Sequence, residues 1–174
     1  ALRTGTDETA GVAVQAALDT FNAGSRDYAA YNAAMTDLGM IEYKDVQGRF
    51  ADQTQVAIAK VKTGYYTVGL AKLRKLAAQG SASIDAYRQL KLLADELLLT
   101  KPPTATAQEA RTLRTAAKKQ AIKGTMQTIK AVRRGDMTIE IYLQCRGLLT
   151  DLRTYVIDSG KGATAIDEKL AELV

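Results

Sequence analysis

"RTLRTAAKKQAIKGTMQTIKAVRR" runs from Arg111 to Arg134 with eight basic residues and no acidic one. The residues between the charges set its conformation. Ala110, Leu113, Ala117, Ala121 and Gly124 recur at spacings of three and four, the period of one helix face. Small side chains on that face let a neighbouring helix come close. Ile122, Met126 and Ile129 form a second apolar line, which predicts contact with two neighbours. Opposite the small-residue seam, Lys119, Lys123, Lys130 and Arg134 fall within about 60° of one another at 100° per residue. They form a stripe of four charges, and Arg111, Arg114, Lys118 and Arg133 form a broader cluster beside it.

Outward from this helix the same periodicity continues. Thr106-x-x-Glu109 reads as a capping box at its start and Gly135 as its stop. Upstream, Tyr87, Leu90, Ala94 and Leu97 line a helix capped by Ser81 or Ser83 and ended by Lys101-Pro102-Pro103. Before that, Ala57, Val61, Gly64, Val68 and Ala71 form the seam of a helix running from about Asp52 to Gln79, with Gly80 after it. Downstream, Asp136 or Thr138 caps a helix with Tyr142, Cys145, Leu149, Leu152 and Val156 on one face, closed by "SGKG".

Four long helices joined by short turns run antiparallel to their neighbours, and each apolar stripe needs the other three for burial. The expected fold is all-α, an up-down-up-down four-helix bundle over 51–160. Residues 1–50 are expected as an N-terminal arm or short helices. Asp7 and Glu8 open a pattern with Val14, Leu18 and Phe21. Ser25 caps a second, with Tyr28, Tyr31 and Met35, that stops at Gly39. "MIEYKDVQGRF" (Met40–Phe50) is compatible with a helical turn, a short strand or a linker, and residues 161–174 with a short C-terminal helix.

Composition agrees with helices packed closely. Apolar residues make up 47% of the 174, but alanine supplies many of them and aromatics only 6%, unlike the β-branched and aromatic cores of sheets. The only two prolines are adjacent, so uninterrupted helices are allowed on either side. The net charge of +5 is local: with eight of the 24 bases in the quoted stretch, sixteen face 19 acids elsewhere. Local charge of one sign suits docking on an acidic surface better than general adhesion.

The chain has no histidine and one cysteine, Cys145, whose place between Leu143 and Leu148 reads as a buried small hydrophobe. This removes the usual general base, the zinc-finger ligand sets, histidine-ligated haem and the Glu-x-x-His pairs of di-iron bundles. Neither a P-loop nor a dinucleotide fingerprint occurs. Asp95-Glu96 and Asp167-Glu168 are neighbours on helices and do not converge. The expected role is binding or scaffolding rather than catalysis, with no cofactor or metal and no transmembrane segment.

Two readings of the basic helix stay open. Lys and Arg are good helix formers and make a soluble face. Against simple solvation, such a face usually mixes signs, whereas Lys119/Lys123 and Lys130/Arg134 repel at i, i+4. An acidic protein surface would offset that repulsion. Nucleic acid fits less well, because single-strand recognition adds aromatic platforms and none lies between Arg111 and Arg134. A helical adaptor with neither role is a third possibility.

In its order of helices, in "LLTDLRTYVID" (Leu148–Asp158) and in the ending "AIDEKLAELV", the chain resembles the PsbQ-type extrinsic subunits of photosystem II, including the algal and diatom forms. The resemblance covers residues 52–160. It implies a variable N-terminal arm before a four-helix bundle, no cofactor, a place in the thylakoid lumen, and stabilisation of the oxygen-evolving complex and its calcium and chloride without binding them. It assigns no individual binding residue. The chain departs from that family in having no tryptophan and in its segment after "SGKG". Its first residue, Ala1, is compatible with a removed targeting segment or a shortened terminus.

Overall fold

The computed structural model describes residues 4–45, 48–80, 82–134, 138–157 and 160–172, with side chains from residue 10 onward. Among these the chain is all-helical: α1 Thr4–Ala23, α2 Tyr28–Lys44, α3 Ala51–Ala78, α4 Ile84–Leu99, α5 Thr104–Val132, α6 Ile139–Asp151 and α7 Lys161–Ala171. A π-turn, Leu152–Val156, continues α6, and its end is marked by Ile157 N donating to Leu152 O at 2.9 Å.

Local chemistry places most boundaries. Ser83 and Thr138 cap α4 and α6 by accepting from the backbone of Ala86 and Ile141. The alternative caps Ser81 and Asp136, and the stop at Gly135, lie outside the described residues. Before α2 the cap is Asp27, which accepts from Ala30 N at 2.9 Å, while Ser25 donates to Asp27 at 2.6 Å. The stronger carboxylate acceptor displaces the serine expected there. Gly39 does not stop α2. A β-carbon there would meet nothing within 4 Å, so the helix absorbs the glycine at a cost of about 1 kcal/mol and runs on to Lys44. Asp45 then turns the chain, accepting from the backbone of Arg49 and Phe50 at 3.1 and 2.7 Å.

The capping box is also corrected. Pro103 is the N-cap of α5 and Thr106 lies within its first turn, with no side-chain cap bond. Glu109 instead receives two hydrogen bonds from Arg74 of α3, at 2.6 and 2.9 Å. A bidentate charge-assisted pair outcompetes a single backbone amide.

Two cores lie along the molecule. The first joins Val14, Leu18 and Phe21 of α1 and Tyr31 and Leu38 of α2 to α3, α4 and the start of α5. The second joins Tyr87 of α4, Ala121 and Ile129 of α5, Cys145 and Leu149 of α6, Leu152 and Val156 of the π-turn, and Ile166 of α7. The α4 seam is buried as the spacing predicts, and so is the α6 seam from Cys145 to Val156, while Tyr142 at its start is half-buried. On α3 the line bends: Ala57 and Val61 are buried, but Ala71 is exposed and Tyr65, Gly69 and Leu73 take the interior. The cause is that α3 packs against α1 and α2 on one side and α4 and α5 on the other.

The helices therefore do not reduce to four. α1 and α2 complete the first core and α7 the second, and α3 meets α4 and α5 without an extended face on α6. Helix α5, about 44 Å long at 1.5 Å per residue, runs past both cores: Ala110 is buried in one, Ala121 and Ile129 in the other.

Candidate docking surface

The seam opposite the charges holds α5 in place. Ala110 and Ala121 are fully buried, and Gly124 lies against the α3–α4 connection. A β-carbon at position 124 would sit 2.4 Å from both the carbonyl oxygen and the β-carbon of Ala82. Only glycine permits that approach. Ile122, Met126 and Ile129 pack into the second core, so the helix touches two sets of neighbours, as its two apolar lines predict.

With that face fixed, Lys119, Lys123, Lys130 and Arg134 all point to solvent. None of the four makes an ion pair among the described residues. The broader cluster divides. Arg111 and Arg133 are exposed, and Lys118 is half-buried with no acidic partner among the described residues. Arg114 is half-buried and pairs with Asp95 of α4, which also takes Lys91 at 3.2 Å. Arg114 thus ties α5 to α4, and the exposed patch excludes it.

Two acids beside α5, Glu109 and Asp95, are already taken by other bases. Hydrogen bonding from Arg74 holds the Glu109 carboxyl below its ordinary range, and Asp95 is shared by two bases. One further base joins the patch from elsewhere in the chain. Lys169 of α7 lies with Lys130 and Arg133 around a small cavity between α5, α6 and α7. No local signal marks it, because its position depends on how α7 folds back across the π-turn.

Cys145 is fully buried in the second core, as its neighbours predict. Among the described residues no three histidine, cysteine, aspartate or glutamate side chains gather where a metal could be held. No described helix is long and apolar enough to cross a membrane. Two turns along α4 from Asp95, Arg88 stacks over the Tyr155 ring at 4.1 Å, which holds the π-turn against α4. The chain matches no protein-family model, no curated protein and no solved structure.

Proposed function

We propose that this chain is a non-enzymatic helical protein that docks through α5 onto an acidic protein surface. The observation that carries this is the unequal treatment of its bases. Arg74, Arg114 and Arg153 each have an acid on another helix, whereas the four-residue stripe is exposed and has no ion pair among the described residues. Like charges at Lys119/Lys123 and Lys130/Arg134 cost a few tenths of a kcal/mol each in the free helix, and an acidic partner offsets that cost.

The resemblance to PsbQ-type subunits supplies a specific partner: the lumenal face of photosystem II. On this reading the protein stabilises the oxygen-evolving complex without holding its ions. Nucleic acid is less favoured, since the basic helix carries no aromatic residue and Tyr65 and Tyr66 are buried in the first core, out of reach of a base.

The test is rebinding to salt-washed thylakoid membranes. Binding at low salt and release near 1 M salt are expected, because screening shortens from about 10 Å at 0.1 M to about 3 Å at 1 M. Changing Lys119, Lys123, Lys130 and Arg134 together to Glu should abolish rebinding. A quadruple variant that rebinds normally makes the stripe a solvated surface only. Retention on DNA or RNA with a steep salt dependence would move the assignment to nucleic acid.

A further inference from the structure

The cavity between α5, α6 and α7 has a volume of about 120 Å³. Its floor is apolar, made by Met126, Ile129, Leu149 and the Cys145 side chain, and Lys130, Arg133 and Lys169 stand at its rim. No acid lines it, and none of the three cations pairs with an acid among the described residues. At roughly 30 Å³ per water-sized group, it has room for about four such groups, the size of one leucine side chain. A hydrated inorganic anion would leave the floor uncovered, and an uncharged aliphatic group would leave the cations unanswered.

We propose that this cavity is the specificity socket of the docking surface, taking one aliphatic side chain from an acidic segment of the partner. Flanking carboxylates on that segment meet Lys130, Arg133 and Lys169 while the aliphatic group fills the floor. Charge complementarity selects an acidic chain, and continuity with the stripe through Lys130 places it in the same interface. The proposal rests on the docking reading and adds to it a requirement that charge alone does not make.

Two short acidic peptides of equal charge, blocked at both ends, separate the two ideas: one carries a central leucine and the other serine. Binding is followed by the methyl resonances of protein carrying ¹³C-methyl methionine, with the Met126 signal assigned from Met126→Leu. The leucine peptide is expected to bind about tenfold more tightly, a difference of about 1.4 kcal/mol. It should shift the Met126 signal and leave Met35 and Met40, in α2, unmoved. Lys169→Gln, an exposed change, should weaken the leucine peptide severalfold. Equal binding of both peptides with Met126 unmoved overturns the socket and leaves the docking reading standing, whereas binding of neither peptide overturns both. An unchanged affinity in Lys169→Gln removes α7 from the site and also overturns the proposal.

Discussion

Arg114 of α5 donates to the Asp95 carboxylate of α4, so one of the eight bases in the Arg111–Arg134 stretch is a tie within the fold. Both side chains are about one third exposed, and solvent weakens the pair accordingly. Arg114→Gln is expected to cost about 0.5–1 kcal/mol of stability and to leave docking affinity within twofold. Neutralising Lys119 and Lys130 to Gln should do the reverse, since it removes both repulsive i, i+4 pairs: Tm unchanged or slightly raised, affinity reduced. Thermal denaturation beside salt-dependent binding checks both. An equal loss of affinity from Arg114→Gln would return that residue to the docking patch.

Gly124 gives a sharper test of how α5 is seated. Alanine there gains about 1 kcal/mol of helix propensity but places a β-carbon 2.4 Å from backbone that cannot rotate away. A net loss of about 1–3 kcal/mol is expected. Gly147→Ala on the exposed face of α6, where a β-carbon meets nothing within 4 Å, should instead stabilise by up to about 1 kcal/mol. Urea denaturation of the two variants side by side decides; shifts of the same sign would mean that the α3–α4 connection does not rest on α5.

Tyr65 sits in a cluster with Tyr31, Tyr66 and Tyr28 at ring-centroid distances of 4.7, 5.9 and 6.4 Å. Its hydroxyl is buried with no hydrogen-bond partner among the described residues, whereas Tyr66 donates to Thr100 O at 3.2 Å. Tyr65→Phe is therefore expected to be neutral or stabilising by about 1 kcal/mol, and Tyr66→Phe to cost about 1 kcal/mol. Guanidinium unfolding of each variant reads the contrast, and a clear loss in Tyr65→Phe would show that the hydroxyl has a partner.

The same burial gives an alkaline limit. Desolvation raises the pKa of both Tyr65 and Tyr31 above 10.0. Well below pH 10 neither the folded nor the unfolded phenol is ionised, and the contribution is fully present. Above pH 10 the unfolded chain releases protons that the folded chain keeps, so stability falls as pH rises, with a limiting slope of about 1.4 kcal/mol per pH unit for Tyr65. The fall should be shallower in Tyr65→Phe, and Tm measured between pH 9 and 11 tests the sign.

The helices themselves were legible from residue spacing, and the reasons differ where spacing failed. Tyr87, Leu90, Ala94 and Leu97 repeat on a helix with one dominant apolar face, and all four are buried. Helix α3 is covered on two sides, so no single stripe describes it, and Leu73 rather than Ala71 is inside. Glu109 has the spacing of a capping partner, but its true partner is Arg74, 35 residues away. The stripe was readable because it is local to one helix. That Arg114 is spent internally and that Lys169 joins Lys130 and Arg133 depend on contacts between helices, which periodicity does not encode.

Helix α5 contributes to both cores and carries the exposed stripe on its far side. An opening that frees its central amides must disrupt the packing around Ala110 and around Ala121 together. Those amides are expected to exchange with solvent deuterium only through global unfolding, while α1 and α7, each attached to one core, exchange through smaller openings. A partner that holds the stripe then grips the least yielding segment of the chain, and its binding free energy is added to the stability of the whole molecule rather than to one end of it.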